Sequence, residues 1–237
     1  SVLDDKARAE NVAFMAEMIA LAGRFNPRFL VLHPSSEPIG DEEREQRLRN
    51  SHASIGLLAP EARRIGATLC IENLPRTCLG QTGEEMLRLI DGYDDVKLCF
   101  DTNHLLFQSH ADYLKVVGKG RIGTVHLSDY DFENERHWIP GQGKIDWGAL
   151  WTGIRESGYD GIMMFECYGE PEELTPGREF IRESAGKVRR QAAFPLRPRL
   201  RGRSRNSGPA IAGSTCRHSW LRPSVTACTT FAARAST

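Results

Sequence analysis

Five short apolar stretches of this sequence end in residues able to bind a metal or move a proton. The clearest runs from Val96 through Phe100 and stops at Asp101, Thr102, Asn103 and His104. The others deliver His33, Glu72, His126 and Glu166. Mixed carboxylate and imidazole donors suit a divalent cation such as Mn²⁺, Mg²⁺, Co²⁺ or Zn²⁺. Without a cation, clustered carboxylates repel and some take up protons. With one, a substrate carbonyl or hydroxyl can be polarised, and flanking carboxylates can carry a proton to and from carbon. A blander account makes Asp101 the cap of the next helix and His104 a polar residue of its first turn. Capping does not explain why the arrangement recurs at five strand ends.

The elements that must position these residues follow from periodicity. Val12, Met15, Ala16 and Ile19 share one helical face and predict a helix over about 6–24, broken at Asn26 and Pro27. Phe29 to Leu32 reads as a strand ending at His33. Leu48, Ile55, Leu58, Ala62 and Ile65 mark a second helix, expected to be interrupted at Pro60. Thr68 to Ile71 is a strand ending at Glu72. Thr82 and Glu85 form a capping box for a helix to about Asp91. After the Val96 strand come a helix near 111–117 and a strand from Gly123 to Val125 that ends at His126. A charged, glycine-rich loop over 127–145 leads to a helix begun by Asp146, carrying Trp147, Leu150, Trp151 and Ile154. Gly161 to Phe165 is a strand ending at Glu166, and a last helix spans about 176–190.

Strand–helix alternation of this kind implies a parallel sheet with right-handed crossovers. His33, Glu72, Asp101, His126 and Glu166 lie about 25–40 residues apart, one strand-plus-helix unit each. In a parallel barrel all strand C-termini open on one face, where such folds keep their sites. An open doubly wound sheet would spread the same residues along an edge.

The formal net charge of the 237 residues is zero, but it is unevenly distributed. From Gln191 onward there are eight arginines (197, 199, 201, 203, 205, 217, 222 and 234) and no acid. The body therefore holds 31 − 8 = 23 basic residues against 31 acidic ones. An acidic body repels nucleic-acid backbones, so nucleic acid is not the expected partner. Cys70, Cys99 and Cys167 sit in or beside predicted strands, and no CxxC pair occurs among the six cysteines. Free thiols in a core suggest a reducing compartment, hence the cytoplasm. No apolar run is long enough to span a membrane, and no signal peptide is expected. Two domains are expected: a 1–190 body and a basic 191–237 tail of low order, for which a shifted reading frame is the sharper account. His52 is expected to be solvated, His110 to start a helix, and Trp147 and Trp151 to be core. The Gly141 and Gly143 pair lacks the setting of a dinucleotide loop.

Together these stretches resemble the xylose isomerase-like TIM-barrel superfamily, which contains sugar and sugar-phosphate isomerases and epimerases and the endonuclease IV enzymes. The resemblance rests on Val31–Pro34, Cys70–Pro75, Cys99–His104, Thr124–Asp129, Arg136–Gly143 and Phe165–Glu166, in that order. It covers about residues 6–190 and implies an α/β fold, a partial (β/α)8 barrel of about the last five strand–helix units. It further implies one divalent metal ion held by Glu72, Asp101, His126 and Glu166. Glu72 and Glu166 would double as the acid/base pair across an enediol-like intermediate. His33, His104, His137 and, less directly, Arg136 or Lys144 would meet a small sugar or sugar-phosphate substrate.

About three strand–helix units that family members carry before the His33 strand are absent here. The chain begins at Ser1 without Met and looks like the C-terminal five-eighths of a barrel. An incomplete barrel leaves two strand edges unpaired, which invites a homo-oligomer. Three readings remain. The first is a metal-dependent isomerase or epimerase. The second is an endonuclease IV-like zinc phosphodiesterase, using His33, His104, Glu135 and His137 for further metals. The third is an inactive fragment.

Overall fold

A computed structural model of the chain describes residues 1–170 and 172–193. The tail expected from residue 191 falls, from residue 194 on, outside the described residues. Five strands form one sheet: β1 (Phe29–Leu32), β2 (Thr68–Glu72), β3 (Val96–Asp101), β4 (Ile122–Leu127) and β5 (Met163–Phe165). They pair in sequence order, and every pair is parallel. The connections are α2 (Asp41–Arg64), α3 (Gly83–Ile90), α4 (His110–Val117) and α5 (Trp147–Glu156). α1 (Asp5–Ala22) precedes the sheet and α6 (Leu174–Ala193) follows it. The result is the expected half-barrel with its helices outside.

β2, β3 and β4 are buried along almost their whole length, whereas β1 and β5 are half-exposed. The central strands read as continuous apolar runs because a parallel sheet covered on both faces has no wet side. Leu69, Ile71, Leu98, Phe100 and Val125 join Ile55, Met86, Leu89, Leu114, Leu150 and Ile154 of the helices in one core. Helix starts are set by side chains. Asp4, Thr82, Ser109 and Asp146 each accept a hydrogen bond from a backbone N–H of the first turn. Gly123 sits where β4 leaves no room, since a Cβ there would lie 2.5 Å from Cys70 Sγ and 2.8 Å from Lys97 Cβ.

Two expectations need correction. α2 is not interrupted at Pro60 but runs through it. Leu58, Ala59 and Ala62 pack on both sides of the proline, and their burial outweighs the ~3 kcal/mol that an interior proline costs. His52 is not freely solvated. Its ring stacks on Tyr93 at 4.6 Å, and Nδ1 lies 3.2 Å from the Leu89 carbonyl. His110 does begin α4, and it is buried with Nε2 2.7 Å from the Thr102 carbonyl. Trp147 and Trp151 are core residues.

Candidate metal centre

Parallel register brings the strand ends level. Glu72 is the last residue of β2 and pairs with Cys99 of β3; Asp101, last of β3, pairs with His126 of β4. Glu166 follows β5, and its backbone N–H donates to the Leu127 carbonyl. One ligand atom from each of Glu72, Asp101, His126 and Glu166 falls within 4.8 Å of the other three. His126 Nδ1 lies 2.5 Å from Glu166 Oε2, 3.5 Å from Glu72 Oε1 and 3.8 Å from Asp101 Oδ2.

These same four atoms are buried without any hydrogen-bond partner: Glu72 Oε1, Asp101 Oδ2, His126 Nδ1 and Glu166 Oε2. The closest approach within the set, His126 Nδ1 to Glu166 Oε2, is an ion pair when the imidazole carries a proton. A single buried polar atom left unpaired costs roughly 1–3 kcal/mol. Four aimed at one point fit a divalent cation, because lone pairs that cannot satisfy one another all bind a cation at their centre. The other oxygens and the backbone are held. Asp101 Oδ1 accepts from the Asn103 N–H at 2.6 Å. Asn73 clamps the end of β3, its Nδ2 donating to the Asp101 carbonyl (2.9 Å) and its Oδ1 accepting from the Asp101 N–H (2.8 Å). Cys99 lies beside Glu72 and His126, and burial pushes its thiol far above the ordinary range.

The metal-free electrostatics show the strain of the cluster. Burial and the neighbouring carboxylates Glu72 and Glu166 push Asp101 up to about 7, against the pull of His104 and His126. Burial also acts to raise Glu72, but contacts with His126, His33 and His104 outweigh it and hold its carboxyl well below the usual range. Glu166 is likewise held low by His126 despite burial. Burial opposes charge on His104 and His126, but Asp101, Glu135 and Glu72 outweigh it at His104, and Cys99, Glu166 and Glu72 outweigh it at His126, so both imidazoles are raised.

The remaining expected residues ring this cluster. His33, after β1, places Nε2 3.2 Å from Glu72 Oε2 and is half-exposed. His104 is buried and anchored by Nδ1 to the Asn73 carbonyl at 2.8 Å. His137 Nδ1 lies 2.9 Å from the Glu166 carbonyl. Glu135 Oε1 meets His137 Nε2 at 2.9 Å and His104 Nε2 at 3.5 Å, so His104, Glu135 and His137 form a second group of possible ligands. Arg136 is turned elsewhere. Its Nε donates to Asp131 at 2.7 Å, and its guanidinium lies over the Trp138 ring. Lys144 is paired with Glu133 at 3.7 Å.

Sequence reasoning did not single out Asn73, Asn103, Arg76 or Asp129. Asn103 Oδ1 accepts from the Arg136 and His137 N–H groups and so draws the 127–145 loop toward β3. Arg76, with left-handed backbone (φ 54°), bridges Glu37 and Glu135. Buried Asp129 accepts from Tyr130 N–H, Gly141 N–H, Ile145 N–H and Trp147 Nε1. A Cβ at Gly143 would sit 2.3 Å from Asp129 Oδ1, which explains the glycine. The usable signal for Asn73 and Asn103 was their position one or two residues past a strand-end carboxylate.

The family model described as xylose isomerase-like TIM barrel matches residues 1–187. An inosose dehydratase of Lacticaseibacillus casei is 30% identical over 139 residues, covering 50% of this chain and 46% of the relative. The chain thus spans about half the length of the curated relatives it matches first. A D-tagatose 3-epimerase-like protein superposes with a TM-score of 0.72 at 21% identity, over 81% of this chain and 74% of that one. The IOLI protein with a bound zinc atom superposes at 0.61 with 21% identity, over 79% and 70%. At these identities the solved structures speak for the fold alone. The strand order, the single mouth of ligand residues and the match over residues 1–187 lead to one assignment: the chain belongs to the xylose isomerase-like TIM-barrel family.

Proposed function

We propose that the chain is the site-bearing part of a divalent-metal-dependent isomerase or epimerase acting on a small sugar, with Glu72, Asp101, His126 and Glu166 as metal ligands. The observation that carries this reading is the convergence of four unpartnered buried donor atoms on one point. A bound divalent cation would polarise a carbonyl or hydroxyl of the substrate. Glu72 and Glu166, on strands at opposite sides of the cluster, would take a proton from the carbon beside that carbonyl and return it. Glu166 is the more open of the two, with its side chain 30% exposed against 3% for Glu72. His33, His104 and His137 offer hydrogen bonds to substrate hydroxyls. An uncharged sugar fits better than a sugar phosphate, because Arg44, Arg76 and Arg136 are each engaged by carboxylates. The same proton removal begins the loss of water from a ketone, so the inosose dehydratase relatives are compatible with these residues.

The test is deuterium exchange at substrate carbon, run over a panel of ketoses and inososes with metal added. Glu72→Gln or Glu166→Gln should lower the exchange ~10²–10⁴-fold with unchanged circular dichroism. Exchange that survives both substitutions would falsify the assignment. A second reading, a multi-zinc phosphodiesterase, draws on the His104, Glu135 and His137 group. Cleavage of an abasic-site duplex together with two or three zinc ions per chain would favour it.

A further inference from the structure

Two groups of possible ligands share Glu72 and His126. One is the four-residue set at the mouth. In the other, Cys99 stands in place of Asp101 and Glu166, and one ligand atom from each of Glu72, Cys99 and His126 lies within 4.8 Å of the other two. Side chains alternate along a strand, so Cys99 shares a face of the sheet with Asp101, two residues further from the mouth. Its partners in register are Glu72 on β2 and Thr124 on β4, the latter two residues before His126. The pairing of β3 with β4 slips between Leu98 and Cys99, where β4 passes Gly123 without a partner. A slip of this kind re-aims the side chains beside it. Cys99 is fully buried in the middle of the sheet, so its surroundings do not depend on what lies beyond either sheet edge. Cys70 and Cys167 turn their thiols to backbone carbonyls, those of Thr68 at 3.9 Å and Leu127 at 3.3 Å. The Cys99 thiol has the Glu72 carboxylate and the His126 imidazole as neighbours. A cysteine that serves only as a small hydrophobe needs neither. Both of those residues are themselves buried, and each holds an atom without a hydrogen-bond partner.

We propose that Cys99 is a further ligand of the bound cation, reaching it from beneath the carboxylate and imidazole donors, and that its sulfur sets the class of metal. The inference rests on the cation site proposed above. Three carboxylates and one imidazole suit Mg²⁺ or Mn²⁺ as well as Zn²⁺, whereas a thiolate selects Zn²⁺, Co²⁺ or Cd²⁺. Two donors on one zinc ion lie at most about 4.4 Å apart. A group within 4.8 Å therefore closes on one ion with shifts of a few tenths of an ångström. A coordinating thiol gives up its proton outright. The S–H bond breaks, the proton passes to solvent, and the freed electron pair on sulfur forms the bond to the metal. Nothing is oxidised or reduced.

The test is cobalt substitution of the full chain, prepared metal-free under reducing conditions and given one equivalent of Co²⁺. The expected result is one retained ion per chain with a strong sulfur-to-cobalt charge-transfer band in the near ultraviolet. Cys99→Ser should remove that band while the cobalt stays bound, and Cys70→Ser should leave it. In chelator competition Cys99→Ser should weaken zinc binding at least ~100-fold and leave manganese binding nearly unchanged. Circular dichroism checks the fold. Should Cys99→Ser fail to fold, the chain in which Cys70, Cys78, Cys167, Cys216 and Cys228 are all replaced by Ala keeps Cys99 alone and must keep the band. Cobalt retained without the band would overturn the role of Cys99 and leave the cation site standing. So would a band that survives Cys99→Ser, or an equal loss of zinc and manganese in that variant. Wild type that retains no cobalt, zinc or manganese would overturn the cation site and this inference together.

Discussion

The mouth of the half-barrel holds two groups of acidic and imidazole side chains that share a composition and differ in how their atoms are satisfied. In Glu72, Asp101, His126 and Glu166, four inward atoms are buried and unpartnered. In His104, Glu135 and His137, the atoms have partners. Glu135 takes His137 and His104 on one oxygen and Arg76 on the other, and both imidazoles are fixed by backbone carbonyls through Nδ1. The first group has the donor set and the unpartnered atoms that fit a cation; the second is already a closed ion-pair network. Their placement explains the contrast. Every member of the first group stands on or directly after a strand of the rigid sheet. Glu135 and His137 ride on the 127–145 loop, which is long enough to fold until its charges meet.

The largest effect expected from this difference is on metal content. Asp101→Ala should take a refolded, metal-loaded and dialysed chain from about one ion to below about a tenth, an affinity loss beyond the 10–100-fold that outer partners cost. Elemental analysis decides it, and retention of the ion would break the comparison. Asp129→Ala should cost about 3 kcal/mol of unfolding free energy, because four donors lose a buried carboxylate at once. Denaturant titration reads that loss, and a change under 1 kcal/mol would mean that water replaces Asp129 (~1 kcal/mol per hydrogen bond). Asn73→Ala should weaken metal binding ~10–100-fold by freeing the end of β3, visible in competitive titration with a chelator.

pH supplies a subtler test. Asp101, raised to about 7 in the folded metal-free protein, releases its proton near pH 4 when unfolded. Between those values the folded chain holds more protons, so stability falls as pH rises. His33, His104 and His137 are also raised, so what they contribute is present below about pH 6.5 and lost as pH rises through their folded values. Glu72 and Glu166 are lowered, and their contribution is lost only in acid, below about pH 4. The metal-free protein should therefore melt several degrees (~5 °C) higher at pH 5 than at pH 8. Added metal should reduce or reverse that slope, since ligands must be deprotonated to bind. Equal slopes with and without metal would remove the cation from the first group. The smallest effect is expected for Glu135→Gln, which should leave metal stoichiometry unchanged. A fall from two or three ions to one would instead sharpen the phosphodiesterase reading.

Much of this was legible in the chain. The apolar runs before His33, Glu72, Asp101, His126 and Glu166 announced parallel strands, because strands covered on both faces must be apolar throughout. Spacing by one strand–helix unit then placed five side chains on one face. What sequence could not supply was orientation within the loops. Arg136 sits next to His137 in sequence, yet its side chain turns to Asp131 and Trp138 while His137 turns to Glu166. Arg76 and Glu37 lie on separate loops and meet only because β1 and β2 pair. Pro60 reads as a helix breaker and is overruled by the core around it.

The sequence by itself determined the order and direction of the strands and which residue types stand at their ends. Those follow from local periodicity and from the handedness of the crossovers. Only the tertiary structure decided that four particular atoms are left without partners while three neighbouring side chains satisfy one another. That outcome depends on sub-ångström register between chain segments far apart in sequence, and hydrogen bonding is too short-ranged to be read from spacing.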